Sequence, residues 1–385
     1  MKLNDISSIN DLYNSEHMKQ IRRNMLAGER PKECTECFKI EDFGGQSRRM
    51  SSLNNYKQNI NFIDSFLGTK DDGGIVPKVQ FLDISLSNVC NLKCIMCSPP
   101  HSTLMKEEFD QFSDNKQIGY DNSTYKGALS LKNNSSMFDL FSDEELESIE
   151  VILFSGGEPL IDIKHKAFLK KLISLKIASK ITISYNTNMT YLSSDLLEIW
   201  NQFYKVDLNI SVDAYGKLNE YIRKNSNWNQ FEKNVQTVIN HPKTLIRFQT
   251  TVQALNITEL IPLYEWIQEV ANLANSNEDH PKVERVPNQI LMWGPAWLHI
   301  DVLPDNIKKF ALLKLIEFFK RNKFFTEKSR REIDNLLKFL RDSINRGQDE
   351  ENFKDFISLI KRFEMSRKQD PIYSLIPSLE KYFIK

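Results

Sequence analysis

Six short apolar segments, set apart by helical patterns, limit what this 385-residue chain can fold into. They lie at residues 79–87 (VQFLDISLS), 150–154 (EVILF), 180–185 (KITISY), 206–212 (VDLNISV), 245–252 (LIRFQTTV) and 288–293 (NQILMW). In the fourth, Val206, Leu208, Ile210 and Val212 fall on one face, the period-two signature of a strand. EVILF is a continuous apolar run and is expected to be buried on both faces. Helical patterns at 161–175, 194–203, 228–240 and 258–274 fill the gaps. Strands alternating with helices imply parallel βα units, and six of them an α/β fold, an open, partial (β/α)6 barrel. The expected organisation is an N-terminal segment (1–75), the barrel (76–300) and a helical C-terminal cap (301–385) rich in Lys, Glu, Leu and Phe. The Asn/Ser-rich stretch 120–136 reads as a loop, followed by a helix with a capping box from Ser142 to Glu145.

The 51 acidic and 51 basic residues cancel, so no global field draws the chain to nucleic acid or to an anionic membrane. The first ten residues, MKLNDISSIN, lack the basic start and apolar run of a signal peptide. No apolar stretch is long enough to cross a bilayer. Five cysteines in two tight groups do not resemble a secreted disulfide framework; such groups in a cytosolic chain more often bind metal or do redox work. The expectation is a cytoplasmic globular protein.

Three of the cysteines sit in SNVCNLKCIMC as Cys90, Cys94 and Cys97. Three thiolates are one ligand short for zinc and for a complete iron–sulfur cube. His101 would complete a Cys3His zinc site. Alternatively the cysteines alone would hold a [4Fe–4S] cluster with one iron left open. The loop follows the first strand, which places it at the carboxyl end of a parallel sheet, where such folds build active sites. The second strand ends in SGGEP. Gly156 and Gly157 permit close backbone approach and φ > 0, and Glu158 offers an acceptor for an ammonium group.

The C-x3-C-x2-C loop followed by GGEP resembles the radical S-adenosylmethionine (radical SAM) enzymes, over roughly residues 79–293. The resemblance implies a [4Fe–4S] cluster on Cys90, Cys94 and Cys97, with the methionine amino and carboxylate groups of S-adenosylmethionine on the open iron. His101 then has no metal role. Met96 stands where the family often carries an aromatic residue near adenine. In YNTNMT (185–190), Asn188 matches the family's Thr-Asn-Gly, with Met189 in the glycine's place. In ISVDAYGKLNEYIR (210–223), the family pattern gives Ser211 and Asp213 to the cofactor and pairs Arg223 with the methionine carboxylate. A strand-end polar pair and a surface arginine are the plainer reading. Val252 and Asn256, in TTVQALN, match the region that contacts adenosine.

The chemistry so implied is reductive cleavage of S-adenosylmethionine and hydrogen abstraction from a substrate C–H bond by a 5′-deoxyadenosyl radical. The implied partners are an external electron donor of the flavodoxin or ferredoxin kind and a peptide or small-molecule substrate, with a homodimer left open. If all five cysteines are ligands, no thiol remains to return a hydrogen atom. That leans away from epimerisation and towards oxidation or cross-linking, of a peptide first, or of a sugar-, aminoglycoside- or nucleotide-derived metabolite second. A metal-binding scaffold without catalysis is the non-enzyme alternative.

Cys34 and Cys37 open a second motif, with Glu41, Gly44, Ser47 and Arg49 following in order. The run resembles the N-terminal part of twitch-domain radical SAM proteins. That resemblance implies an auxiliary iron–sulfur cluster on Cys34 and Cys37 near the barrel mouth, completed by oxygen or nitrogen ligands, a second subunit or a substrate. Glu41 is the nearest carboxylate, and it can equally pair with Arg49. A structural zinc, or a pair that holds nothing, is the rival reading.

Overall fold

The computed structural model describes residues 8–42, 47–56, 60–85, 87–111, 141–275, 282–292, 294–322 and 326–384. The expected loop at 120–136, Gly44, Leu86 and Trp293 fall outside them. The chain divides into two compact units, residues 1–82 with 129–150 and residues 83–128 with 151–385.

The N-terminal helices are α1 (Ile9–Tyr13), α2 (Glu16–Leu26), α3 (Thr35–Asp42), α4 (Arg48–Tyr56) and α5 (Ile60–Leu67). Next come β1 (Phe81–Ser85), β2 (Lys93–Cys94), α6 (Thr103–Asp110), α7 (Asp143–Glu147), β3 (Val151–Ser155) and α8 (Ile163–Ser174). The chain continues through β4 (Thr182–Thr187), α9 (Ser194–Trp200), β5 (Lys205–Ser211), α10 (Gly216–Ile222), β6 (Arg223–Lys224) and α11 (Trp228–Ile239). It then forms β7 (Thr244–Val252), α12 (Leu260–Ala274) and β8 (Asn288–Leu291), and ends in α13 (Asp305–Arg321), α14 (Glu327–Arg346), α15 (Glu350–Arg367) and α16 (Glu380–Phe383). The capping box of α7 is formed: Ser142 Oγ accepts from Glu145 N at 3.1 Å, and Glu145 accepts from Ser142 N at 2.9 Å.

All six expected strands share one sheet, ordered β1-β3-β4-β5-β7-β8. The pairs from β3 to β8 are parallel, with Phe154 opposite Tyr185, Ile210 opposite Phe248 and Gln249 opposite Asn288. This is the partial barrel that the strand–helix alternation implies. One face packs on the helices. Phe154, Tyr185 and Phe248 are fully buried there. Phe154 meets His165 of α8, Tyr185 meets Trp200 of α9 and Phe248 meets Trp266 of α12, at ring distances of 4.8, 5.6 and 5.1 Å.

The opposite, concave face is half-buried and polar. It carries Ser184, Asn186, Asp207, Asn209, Arg247 and Gln249. Asp207 pairs there with Lys205 at 3.0 Å and Arg247 at 3.5 Å. The expectation that the second strand is buried on both faces needs correction. Residues 151–155 alternate between half-buried and buried, because the concave side of an open barrel is not covered by helices.

The C-terminal helices share a continuous apolar cluster with α10 and α12, including Leu218, Tyr264, Leu315, Leu340 and Phe363. Polar ties reinforce it. Arg367 of α15 forms a buried ion pair with Glu108 of α6 at 2.6 Å, and Tyr221 of α10 donates to Glu364 of α15 at 2.9 Å. Among the described residues, no helix is long and apolar enough to cross a membrane.

Candidate active site

The cysteine loop leaves β1 and is held at several points. Ser87 Oγ donates to Asp162 at 2.5 Å, and Asp162 also caps α8 through Lys164 N. Beyond the last cysteine, Ser102 Oγ donates to Leu92 O at 2.9 Å and caps α6 through Met105 N. Between these anchors, β2 pairs antiparallel with β6, setting Cys94 opposite Arg223. Cys94 is buried, Cys90 and Cys97 are half-buried, and none of the five cysteines is in a disulfide.

The glycine pair is explained by the loop itself. Gly157 N donates to Ser87 O at 2.9 Å and Glu158 N to Val89 O at 2.8 Å, so the strand end and the loop run as a backbone rail. A Cβ on Gly157 would stand 2.2 Å from Val89 O, and one on Gly156, whose φ is +109°, 2.6 Å from Ser87 O. The close approach that the sequence pattern requires is therefore met by the backbone just before Cys90.

Glu158 is 2% exposed. Its carboxylate accepts from Leu160 N at 3.1 Å, Thr187 Oγ1 at 2.7 Å and Asn188 N at 2.6 Å. A carboxylate has about four acceptor sites, so about one, on Oε2, is left for a ligand ammonium. Burial pushes the carboxyl up to about 7, against the three hydrogen bonds. The side chain thus pins the end of β3 to the end of β4. Glu158→Ala would strand three buried donors, each worth about 1–3 kcal/mol. The cofactor-free variant is expected to lose about 3 kcal/mol or more in urea unfolding, and Glu158→Gln less, because it keeps an acceptor. An unchanged midpoint for Glu158→Ala would refute this role.

Asn188 continues the tie. Its Nδ2 donates to Asn91 Oδ1 at 3.0 Å and lies 4.0 Å from Cys90 Sγ, while its Oδ1 accepts from Thr190 Oγ1 at 2.6 Å. Asn91 Nδ2 donates to Thr190 Oγ1 at 2.8 Å. Asn91 and Thr190 escaped the sequence reading, although Asn91 directly follows the first cysteine of the loop. Met189 takes φ +52°, a left-handed conformation, at the position where the family carries glycine.

Asp213 and Arg223 meet each other. Arg223 Nε faces Asp213 Oδ2 at 2.8 Å, with the side chains 11% and 0% exposed, so Arg223 is not a surface arginine. Arg223 Nη1 lies 3.8 Å from Cys94 Sγ. Burial would lower the arginine's proton affinity, but Asp213 and Cys94 outweigh it and raise it overall. Asp213 Oδ1 also accepts from Thr251 N, and its carbonyl from Asn256 Nδ2, both at 2.8 Å. Asn256 therefore braces the ends of β5 and β7. Ser211 is half-buried at the end of β5. Met96 is half-buried against the apolar cluster, and the Val252 side chain is fully buried within it.

A [4Fe–4S] cluster fits the three loop cysteines. Burial pushes the Cys94 thiol up to about 12 and Cys97 up to about 11. As free thiols these would stay protonated at neutral pH, whereas a bound metal deprotonates its thiols outright. Among the described residues, no three His, Cys, Asp or Glu side chains gather closely enough for a single ion. A cube would take its thiolates on separate irons. His101 is exposed on a 3-10 turn.

In the N-terminal unit, Cys34 ends a 3-10 turn and Cys37 lies in the first turn of α3. Three polar residues of the twitch-like run come together: Glu41 accepts from Ser47 Oγ and pairs with Arg49. Arg49 and Arg30 both lie over the Phe38 ring, at 4.9 and 4.8 Å. The Glu41–Arg49 pair that the sequence left open is formed.

The radical SAM superfamily model matches residues 84–256. A GTP 3′,8-cyclase from Clostridium botulinum is 30% identical over 139 residues, 36% of this chain and 36% of that protein. The match thus spans about a third of the length of the curated relative. Among solved structures, native anSMEcpe with bound AdoMet is 19% identical with a TM-score of 0.39, covering 63% of this chain and 61% of the other. SuiB from Streptococcus suis bound to S-adenosylmethionine is 12% identical with a TM-score of 0.35, covering 80% of this chain and 62% of the other. The family model lies over the cysteine loop, the glycine rail and the ends of β3 to β7, so residues 84–256 of this chain match a radical SAM domain.

Proposed function

We propose that the protein binds S-adenosylmethionine beside a [4Fe–4S] cluster on Cys90, Cys94 and Cys97 and oxidises or cross-links a peptide by abstracting hydrogen from a C–H bond. The observation that carries this reading is the cysteine loop locked against the ends of β3, β4 and β6. When bound, the cluster and cosubstrate supply an electron and a 5′-deoxyadenosyl radical. The chain's own residues hold and orient. The backbone rail of 156–158 fixes the loop, Asn188 and Asn91 brace its first cysteine, and Asp213 aims Arg223 at Cys94.

The concave face supports a polar substrate. Asn186, Asn209, Gln249 and Asn288 lie on adjacent strands there, and Asn209 donates to Ser184 Oγ at a long 3.4 Å. Side-chain amides both donate and accept, which suits the amide groups of a peptide.

The test is anaerobic reconstitution, reduction and incubation with S-adenosylmethionine. Formation of 5′-deoxyadenosine is expected, slow without substrate. Adding size-fractionated extracts of perdeuterated cells should move deuterium into 5′-deoxyadenosine, with the signal in the peptide fraction. Deuterium from the small-molecule fraction alone would transfer the proposal to a metabolite. No 5′-deoxyadenosine under any condition would refute the enzyme reading.

A further inference from the structure

We propose that Arg223 is a positioning residue for the cluster, donating a charge-assisted N–H···S bond to the Cys94 thiolate that makes the cluster easier to reduce. The inference rests on the reading that Cys94 is a cluster ligand. It departs from the role of Arg223 implied by family resemblance, a clamp on the methionine carboxylate.

Four observations carry it. The β2–β6 ribbon sets Cys94 and Arg223 directly opposite each other. Across that ribbon Nη1 stands 3.8 Å from Cys94 Sγ, within reach of a hydrogen bond to sulfur. The guanidinium is aimed from behind by Asp213, which is wholly buried and 2.8 Å from Nε. Asp213 is itself fixed by Thr251 N, and its backbone N–H by Asn219 Oδ1 at 3.0 Å, so the arginine approaches from a rigid base.

The chemistry follows from charge. Reduction adds one electron to a cluster already bearing anionic thiolates. A cation in van der Waals contact with one of them stabilises the reduced state more than the oxidised state. Hydrogen bonds to the sulfurs and local charge are among the factors that set the potentials of such clusters. Charge-assisted hydrogen bonds are roughly twice as strong as neutral ones. Asp213 moderates the effect, since its negative charge lies on the far side of the guanidinium. Removing Arg223 and removing Asp213 should therefore shift the potential in opposite directions. A merely structural pair would not behave this way.

The test is a redox titration of the reconstituted protein followed by paramagnetic resonance, with iron counted per chain. At a fixed poise, R223Q is expected to show about a tenfold smaller ratio of reduced to oxidised cluster, about 59 mV for one electron. R223K, which keeps the charge, should stay close to the unmodified protein. D213N should shift the ratio the other way. Full iron with an unchanged ratio in R223Q would overturn the proposal, and so would R223K falling as far as R223Q. Loss of iron from all three folded variants would also overturn it, assigning Arg223 to holding the ribbon. If the unmodified protein shows no reducible cluster, the cluster reading itself fails and this inference with it.

Discussion

Replacing Cys90, Cys94 and Cys97 together by alanine is expected to abolish 5′-deoxyadenosine formation and to remove most of the visible iron–sulfur absorbance. The fold should survive. Cys94 is the one buried thiol of the three, and exchanging it for alanine deletes one buried sulfur, a modest loss for a core that extends through β3 to β8. Circular dichroism therefore serves as the control, and iron analysis and product analysis as the readouts. The Cys34→Ala/Cys37→Ala variant is the informative contrast. If those residues anchor a second cluster, iron per chain falls while 5′-deoxyadenosine formation persists and substrate product disappears. Equal iron in that variant and the unmodified protein would eliminate the second cluster. Residual cleavage by the triple variant would show that these three cysteines do not hold the reactive cluster.

The second large effect is expected from a single methyl group. In Gly157→Ala the new Cβ meets Val89 O at 2.2 Å and the Val89 carbonyl carbon at 2.6 Å, with Asn88 C at 2.7 Å. Ordinary contact lies near 3.5–4.0 Å. No flexible side chain can yield, since every one of these atoms is backbone. The loop must move by about an ångström, breaking the hydrogen bonds that Gly157 and Glu158 make to it. Bound iron should fall towards that of the triple cysteine variant. Gly216→Ala is the control: its φ is positive, +59°, so the substitution strains the backbone, but nothing lies within 4 Å of its Cβ. It should strain α10 and keep its iron. Equal iron in both variants would show that the rail does not position the cysteines.

The barrel was legible because its periodicities are local. The alternation in 206–212 states which face of β5 packs on helices, and the same parity places Ile246, Phe248 and Val252 on the buried face of β7. The cysteine loop and GGEP were legible as chemistry, since three thiols at that spacing have few other uses. What the glycines make room for was not legible. Their neighbours, Ser87 to Val89, lie about seventy residues upstream, and only the placing of β1 beside β3 brings them together. The same holds for Arg223, which stands 129 positions from Cys94 in the chain. Glu158 looked like a free acceptor because its three donors are all supplied by the fold, two of them from the end of β4.

The buried pair of Arg367 and Glu108 bears on how this protein can be divided. Glu108 belongs to the helix that leaves the cysteine loop, and Arg367 to the end of α15. A chain cut where the family match ends, at residue 256, would keep the carboxylate and lose its counter-charge. In the intact chain, removing Arg367 alone would leave a buried uncompensated charge, costing about 3–5 kcal/mol, a large fraction of the net stability of an ordinary domain. A chain cut at residue 256 would also lose the C-terminal apolar partners of α10, so it is expected to be less stable around the helix that follows the cysteine loop.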